Sequence, residues 1–560
     1  MKVSGAHIIT HLLERQGVEI VSGIPGGANL PLYDALSHSR LRHVLARHEQ
    51  GAGFIAQGMA RATGRTGVCL GTSGPGATNL ITAIADAKLD SVPLVVITGQ
   101  VPRALIGTDA FQEVDTYGLT VPISKHNYLV RSASELLQVL PKAFMLAESG
   151  RPGPVVVDVP KDVQTEVIDV TEWPAPGAPE PATIPSYAAV EQFLALLQRA
   201  ERPVLYVGGG VVAAQAADLV IALAERASIP VAMTLHGLGV FPANHRLSLG
   251  MLGMHGARST AILLDEADLL LAIGVRFDDR ATGKLSEFCK HATVVHVDVD
   301  ASEIHKLKPA NLGIVADARA TLERLLPRVS IQPRTHWMQR VAEVKRRHSL
   351  PPAADLDILN PVGLLHALSR LIPASSIITT DVGQHQMWVA QYYPFMKPRR
   401  LQTSGGLGTM GFGLPAAIGA ALARPDVPVI CVSGDGSLLM NIQELATLAE
   451  CNANVKIVLL NNRHLGLVRQ QQTLFYGGRL HASQFHTDTD FVGIAKAFGI
   501  AGTELEGATD PHAQLAEALA TPGPILINVP IHPMENVLPM VPPGAANRDM
   551  IEITQEVAHV

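Results

Sequence analysis

Residues 431–467 read CVSGDGSLLMNIQELATLAECNANVKIVLLNNRHLGL, and this stretch decides the fold. A short apolar run at residues 427–432 predicts a buried strand that ends in the turn SGDG. One amphipathic helix is expected next, followed by a second buried strand at residues 455–460 that ends in two asparagines. Asp435 and Asn462 therefore belong at the carboxyl ends of two strands, where open parallel sheets bind their ligands.

The SGDG turn has the composition of a metal- and phosphate-binding site. Free N–H groups and the dipole at a helix start favour phosphate, and one oxygen each from Asp435 and Asn462 would help hold Mg²⁺. The alternative is a pair of ordinary turns, which is the more common meaning of a GDG by itself. The complete strand–helix–strand pattern is far more specific, and it resembles the diphosphate- and metal-binding motif of thiamine diphosphate enzymes.

Composition excludes several classes of protein. A chain of 560 residues with 47% hydrophobic residues predicts a well-buried globular protein of about three domains. A net charge of −6 gives no footprint for nucleic acid or an anionic membrane, and no apolar run approaches the length of a membrane span. The first residues predict an amphipathic helix rather than a signal peptide. Four widely spaced cysteines fit free thiols in a reducing compartment, so we expect a cytoplasmic location.

Two proline-rich stretches, residues 174–185 and 333–361, act as linkers in the sequence. They separate three blocks at residues 1–168, 186–330 and 355–545. Each block alternates short β-branched strands with helices, which predicts an α/β protein of three doubly wound parallel-sheet domains.

A weak internal repeat relates the first block to the third. Residues 68–100 and residues 429–462 each contain a strand, an SGxG turn, a helix and a strand with a polar end. The third block has Asp435 in the turn, whereas the first has Pro75. Two related domains with different polar groups suggest one cofactor held by its two ends, and chance similarity of α/β units is the alternative.

The segment RHEQGA at residues 47–52 places Glu49 where a predicted strand gives way to a glycine- and alanine-rich helix. Such an acid can simply stabilise a helix start. The segment also resembles the thiamine-enzyme motif whose glutamate bonds the aminopyrimidine N1′. The resemblance implies that Glu49 exchanges a proton with that nitrogen and so activates the cofactor.

The resemblance assigns further cofactor contacts to the third block. Met410 corresponds to the apolar residue that bends the cofactor from beneath, although a lone methionine can also be core filler. The family's metal ligands correspond to Asp435, Asn462 and the main-chain carbonyl of His464. The implied thiamine diphosphate ligands besides Glu49 are Val382, Gly383, Gln384, His385, Gly408, Met410, Gly434, Asp435, Gly436, Ser437 and Asn462.

The middle block has polar or glycine residues after several predicted strands. Each aspartate there could cap a helix, or together they could hold adenine, ribose and diphosphate. As a set they are similar to the flavin-binding domain of acetohydroxyacid synthases, where FAD is required but is not a reactant. The implied flavin ligands are Arg151, Gly208, Gly209, Gly210, Thr234, Leu235, Met254, His255, Arg276, Asp278, Asp298 and Asp317.

The resemblance covers nearly the whole chain and is specific to the catalytic subunits of acetohydroxyacid (acetolactate) synthases, closest to the isozyme I branch. It implies decarboxylation of pyruvate and transfer of the hydroxyethyl unit to pyruvate or 2-oxobutyrate, in branched-chain amino acid synthesis. The implied catalytic residues are Glu49, Gln112 and Lys161.

The resemblance also implies how the substrates are held. Gly27 lies with Gln112 along the reacting unit, and Phe111, with Lys161 and Met254, shapes the entrance. Arg280 corresponds to a clamp for the acceptor carboxylate, and its alternative is a surface or flavin-side ion pair.

Two positions depart from the family pattern. Many members have Trp where this chain has Gln471, and that ring favours 2-oxobutyrate through contact with its extra methylene. Gln471 therefore predicts weak discrimination between acceptors. The pair Arg463-His464 replaces an acidic or neutral pair beside the metal motif, which changes the charge near the diphosphate.

The family site is built across a subunit interface, so the resemblance implies a homodimer, with a tetramer as the larger alternative, and a separate small regulatory subunit. Three rival functions remain at this point. One is a redox flavoenzyme of the pyruvate oxidase type, and another is glyoxylate carboligase, whose family lacks the catalytic glutamate. The third is a non-catalytic nucleotide-binding protein on the same fold.

Overall fold

The computed structural model describes residues 1–351 and 356–552. These residues form three six-stranded parallel sheets and one small antiparallel pairing of two short strands. Pro352 of the second linker and the predicted start of the third block at residue 355 lie outside the described residues. Within the described ranges, no helix is both long and apolar enough to cross a membrane.

The first sheet follows the N-terminal helix, which begins after Ser4, whose side chain accepts the N–H of His7. The elements of this region are β1 (Lys2–Ser4), α1 (Gly5–Arg15), β2 (Ile20–Gly23), α2 (Leu30–Ser37), β3 (Arg42–Leu45), α3 (Glu49–Thr63), β4 (Gly67–Gly71), α4 (Pro75–Asn79), α5 (Ile81–Asp90), β5 (Leu94–Gln100), α6 (Thr116–Thr120), β6 (His126–Leu129), α7 (Ala133–Glu148), β7 (Pro154–Pro160), α8 (Lys161–Thr165) and β8 (Val167–Asp169).

The second sheet is built from the middle of the chain, and its strands are buried because helices cover both faces. Its elements are α9 (Tyr187–Arg199), β9 (Pro203–Val207), α10 (Gly209–Ala213), α11 (Ala217–Ala227), β10 (Val231–Met233), β11 (Ser248–Met251), α12 (Arg258–Asp265), β12 (Leu269–Ile273), α13 (Asp279–Thr282), β13 (Thr293–Asp298), β14 (Leu312–Val315), α14 (Ala318–Leu325) and α15 (Thr335–His348).

The third sheet contains the stretch from which the fold was predicted. Its elements are α16 (Pro361–Leu371), β15 (Ile377–Thr380), α17 (Gln384–Tyr392), β16 (Leu401–Gln402), α18 (Gly413–Ala423), β17 (Val429–Gly434), α19 (Asp435–Leu438), α20 (Glu444–Cys451), β18 (Val455–Asn461), α21 (Gly466–Phe475), α22 (Phe491–Ala497), β19 (Ala501–Glu504), α23 (Pro511–Ala520) and β20 (Ile525–Pro530).

Strand order confirms the predicted fold class and supports the internal repeat. The first sheet runs β3-β2-β4-β5-β7-β6 and the third β16-β15-β17-β18-β20-β19, so both have the same order when strands are counted within the domain. The middle sheet has a different order, β11-β10-β9-β12-β13-β14, which is that of dinucleotide-binding domains. In each sheet the strand order reverses beside its first strand, and that crevice is where ligands bind.

The equivalent helices of the first and third sheets, α3 and α18, pack directly against each other. A Cβ added to Gly419 of α18 would lie 2.0 Å from the carbonyl oxygen of Ile55, and one added to Gly58 of α3 would lie 2.1 Å from that of Ala416. Only glycine permits so close an approach of two backbones. The two related domains are therefore joined through matching helices.

One local prediction is wrong. The helix expected after SGDG is not continuous, because α19 ends at Leu438 and α20 begins at Glu444 after a 3₁₀ turn. In that interruption the Asn441 amide donates a 2.7 Å hydrogen bond to the carbonyl oxygen of Gly411. The break therefore ties the metal-motif segment to the glycine-rich segment before α18.

Candidate active site

A cavity of about 180 Å³ lies at the carboxyl ends of β15, β17 and β18. It occupies the crevice where the strand order of the third sheet reverses. Every thiamine diphosphate ligand expected in the third block lines it, and so does His464. The sequence did not indicate the other lining residues, which are Trp388, Leu460, Leu465, Gly466, Leu467, Val468 and Ile531.

The oxygen atoms in this cavity fit Mg²⁺. Burial raises the pKa of Asp435 to about 7, while backbone N–H groups that include Gly436 and Arg463 counter the rise. The Asn462 amide is oriented by its neighbours, because it donates to Gln384 Oε1 at 3.2 Å and accepts the N–H of His464 at 3.0 Å. Among the described residues no three His, Cys, Asp or Glu side chains form a metal cluster. The protein thus offers one carboxylate, an amide oxygen and backbone carbonyls, and leaves the remaining positions to phosphate oxygens.

His385 offers a further polar contact on the wall of this cavity. Its Nε2 is buried and has no hydrogen-bond partner among the described residues. Burial lowers the pKa of His385 to about 3, so the ring is neutral. A buried ring nitrogen without a partner is costly unless a ligand supplies one, which supports occupation of the cavity by a polar cofactor.

Glu49 is located at the first residue of α3 and is 8% exposed. It accepts a 2.9 Å hydrogen bond from the side chain of Asn79. The turn that precedes Glu49 is held by Glu444 of the third domain, which accepts the N–H groups of Arg47 and His48 at 3.0 Å each. This contact could not be inferred from the sequence, since α20 is far from α3 along the chain.

The other residues expected in the first half of the site surround the same edge of the first sheet. Gln112 packs against Gly74, whose added Cβ would lie 2.8 Å from the Gln112 carbonyl oxygen. Lys161 opens α8 directly after β7, and Phe111 is 88% exposed. The position of a Cβ on Gly27 has no atom within 4 Å. These four residues and Glu49 line neither the small cavity nor the larger one described next.

A cavity of about 820 Å³ opens at the reversal point of the middle sheet, between β9 and β12. Eleven of the twelve expected flavin ligands line it. Gly208 lies behind the wall, where its added Cβ would lie 2.6 Å from the Gly274 carbonyl oxygen. The sequence did not indicate Gly274 or linker residues 180–183, which also line the cavity.

Individual polar side chains in the larger cavity have structural partners as well. Asp278 and Asp317 cap α13 and α14, so the capping interpretation holds for both. Burial raises the pKa of Asp298 to about 6. Arg151 is already engaged by protein groups, since it pairs with Glu303 at 2.7 Å and Asp300 at 3.2 Å and its Nε donates to Ser91 at 2.8 Å.

Two features of this cavity suit a large polar cofactor. His255 is buried, and in the part of the chain that the structure describes its Nδ1 has no hydrogen-bond partner. Glycines 209 and 210 form the start of α10 after β9, the strand end at which a dinucleotide diphosphate approaches the backbone, and the N–H of Gly210 donates to the Gly274 carbonyl oxygen at 3.1 Å. The lining residues therefore fit FAD.

The two cavities adjoin each other. Gly408 and Leu467 line both, and Gln471 lines the larger one one turn of helix beyond Leu467. Arg280 also lines the larger cavity, with a side chain that is 66% exposed and 3.7 Å from Asp279 Oδ2. A thiamine-type cofactor in one cavity and a flavin in the other would thus be neighbours, with Arg280 and Gln471 beside them.

Three protein-family profiles match the chain in succession. They are described as thiamine pyrophosphate enzyme, N-terminal TPP binding domain, over residues 3–119, the central domain over residues 190–325, and the C-terminal TPP binding domain over residues 381–529. Each match falls within the region of one sheet, although the first ends before β6 and β7 and the third begins just after β15.

Full-length relatives agree with these profiles. The chain is 56% identical over 551 residues to the acetolactate synthase isozyme 1 large subunit of Escherichia coli (strain K12), and 98% of each chain is covered. It is 48% identical to the isozyme 2 large subunit of the same bacterium, over 98% of this chain and 100% of the relative. Acetolactate synthase 1, chloroplastic, of Nicotiana tabacum is 45% identical over 98% of this chain and 84% of the relative. The chain therefore belongs to the acetolactate synthase large-subunit family of thiamine pyrophosphate enzymes.

Proposed function

We propose that this chain is the catalytic subunit of an acetolactate synthase. It decarboxylates pyruvate and transfers the hydroxyethyl unit to pyruvate or 2-oxobutyrate, giving 2-acetolactate or 2-aceto-2-hydroxybutyrate. The observation that carries the proposal is the adjacency of the metal-and-diphosphate cavity and the dinucleotide cavity, in a chain of this family. Branched-chain amino acid synthesis consumes both products.

The cofactors are thiamine diphosphate, Mg²⁺ and FAD. Thiamine diphosphate, when bound, supplies the carbon nucleophile and the electron sink that decarboxylation of a 2-oxo acid requires. Asp435, Asn462 and the carbonyl of His464 would hold Mg²⁺, and residues 382–385 and 434–437 would hold the diphosphate. Met410 would support the cofactor from below.

The remaining residues act on protons and substrates. Glu49 gives and retakes a proton at the pyrimidine ring of the cofactor. Gln112 and Lys161 complete the first half of the site, with Gly27 and Phe111 bordering the substrate. Arg280 binds the acceptor carboxylate through its planar fork, and Gln471 faces the acceptor chain.

The active unit is a homodimer. Glu49 and its neighbours line neither cavity of their own chain, although the chemistry requires them at the cofactor. A second copy would bring the carboxyl edge of its first sheet to the small cavity and complete the site. The relatives are called large subunits, which supports a separate small regulatory subunit, and two dimers would form a tetramer.

The three sheets support a division of the chain into three domains. We place the pyrimidine-binding domain at residues 1–168, the flavin-binding domain at 186–330 and the diphosphate-binding domain at 355–545. The antiparallel pair β1–β8 joins the two ends of the first domain, and β8 ends at Asp169, one residue beyond the proposed limit.

One assay tests the proposed function. The purified protein is incubated with pyruvate, with and without thiamine diphosphate, Mg²⁺ and FAD, while acetolactate and oxygen uptake are measured. We expect acetolactate only when all three cofactors are present, without oxygen uptake. Oxygen uptake with flavin reduction would show a redox flavoenzyme instead, and the absence of any turnover would support a non-catalytic role.

A further inference from the structure

Two buried aspartates of α5, in the first domain, contact residues of the other two domains. Asp86 and Asp90 both have fully buried side chains, and Arg61 of α3 donates to them at 3.3 and 2.9 Å. The Arg61 guanidinium also lies 5.0 Å from the ring centroid of Phe412 in the third domain. A buried charge cluster of this kind is stable only when every group has a partner.

The partners come from the loop at residues 404–409. The N–H groups of Gly405 and Gly406 donate to Asp90 at 3.1 and 2.7 Å, and the hydroxyl of Ser404 donates to Asp86. This loop carries Gly408, which lines both cavities, and it leads into Met410 beneath the expected thiamine cofactor. The two aspartates therefore fix the loop that separates the two cavities.

His236 joins the same acid from the middle domain. Its Nε2 lies 3.0 Å from Asp90 Oδ1, and a Cβ added to Gly405 would lie 2.3 Å from that nitrogen. His236 follows Thr234 and Leu235 into the wall of the larger cavity, and Asp90 lines that cavity too. A molecule in the larger cavity would hold the imidazole in place against Asp90 and the loop.

We propose that Asp90 is a positioning residue that couples the two cofactor sites. Flavin in the larger cavity holds His236 against Asp90, Asp90 holds the loop at residues 404–409, and the loop shapes the thiamine diphosphate site. The inference rests on the proposed function, because it requires that both cofactors bind. Coupling of this kind is reciprocal, so each cofactor binds more tightly when the other is present.

The test measures binding rather than turnover. The dissociation constant of thiamine diphosphate with Mg²⁺ is determined by calorimetry with and without saturating FAD, for the full-length wild type and for His236→Asn and Asp90→Asn. In the wild type we expect FAD to tighten binding about 5- to 150-fold, the usual range of such coupling. In both variants we expect the ratio of the dissociation constant without FAD to that with FAD to fall toward 1. Asp158→Asn is the matched control, because Asp158 is a buried acid of the first sheet that bonds only Thr98 and Gln100.

Each outcome decides the matter. A ratio near 1 in the wild type, or a wild-type ratio in His236→Asn, overturns the inference even when the protein forms acetolactate. Loss of coupling in Asp158→Asn would do the same, since the effect would then follow any buried acid. If Asp90→Asn does not fold, His236→Asn decides alone. Failure of the wild type to bind either cofactor would overturn the proposed function together with this inference.

Discussion

The first and third sheets have the same strand order, but the polar residues at their strand ends differ in their surroundings. In the first sheet Gln100, at the end of β5, is satisfied inside the protein, because it donates to Asp158 and to the Val114 carbonyl oxygen. In the third sheet Asn462 lies just beyond the equivalent strand and lines an open cavity with Asp435. The polar end of the third-sheet strand thus faces the cavity proposed to hold metal and phosphate, while its counterpart Gln100 in the first sheet is bonded within the protein.

The residue of the first domain proposed to act in the reaction lies at a helix start rather than at the end of β5. Its acid, Glu49, begins the helix after β3, whereas the equivalent helix of the third sheet, α18, has no acid in its first turn. In the proposed function, one fold repeated within the chain therefore supplies the cofactor anchor from the third domain and the proton donor from the first. The packing of α3 against α18 holds the first and third domains of the chain in one relative orientation.

The largest effect is expected from removing the acid of the first sheet. Glu49→Gln should retain the fold and cofactor binding but lose about 10²- to 10⁴-fold in turnover, the usual contribution of a positioned acid–base group. Steady-state rates and exchange of the cofactor C2 proton measure this. Glu135→Gln is the control, because Glu135 is also an acid in the first turn of a helix in this domain. Near-normal exchange in Glu49→Gln would contradict the role.

Removing the acid of the third sheet should act on binding instead. Asp435→Asn takes away the only carboxylate among the proposed metal ligands, so we expect Mg²⁺-dependent thiamine diphosphate affinity to fall at least about 100-fold, beyond the usual cost of losing an outer-shell partner. Calorimetry measures the affinity. Asp426→Asn, an exposed aspartate paired with Arg424, should leave it unchanged. Wild-type affinity in Asp435→Asn would show that the metal is held elsewhere.

The packing of α3 against α18 can be weakened by a substitution outside the proposed cofactor sites. Gly419→Ala would force a methyl group to within 2.0 Å of the Ile55 carbonyl oxygen. We expect a loss of about 1–3 kcal/mol in the free energy of unfolding, the range for overpacked cores, measured by urea denaturation. Gly153→Ala is the control, since its nearest atom would lie at 3.3 Å. Equal stability of the two variants would mean that the helices separate without cost.

The smallest effect concerns acceptor choice. With Gln471 we expect similar yields from equal concentrations of pyruvate and 2-oxobutyrate as acceptors. Gln471→Trp should favour the 2-oxobutyrate product about tenfold, because contact with one methylene is worth about 1–3 kcal/mol. Product ratios measure this, and Gln471→Ala, which adds no ring, should leave them unchanged. A wild type that already favours 2-oxobutyrate strongly would contradict this role of Gln471.

Local sequence patterns predicted the features of this molecule that depend on residues close together in the sequence. SGDG, Glu49 and the glycines after β9 each follow a strand, and strand ends in parallel sheets share one edge, so the location of these residues in the fold could be inferred from sequence. The break between α19 and α20 could not, since it depends on the bond from Asn441 to Gly411. Asp90 was missed for the same reason, because its partners come from three domains.

The central claim is that, in a dimer, the first domain of one protein chain completes the site in the third domain of the other chain. Glu49→Gln and Asp435→Asn, each strongly impaired alone at cofactor concentrations that just saturate the wild type, are mixed, dissociated and allowed to reassociate, and acetolactate formation is measured. Half of randomly formed dimers would be hybrids with one intact site, so activity should recover to about a quarter of the wild type. No recovery from verified hybrids would place the whole site within one chain and contradict the claim.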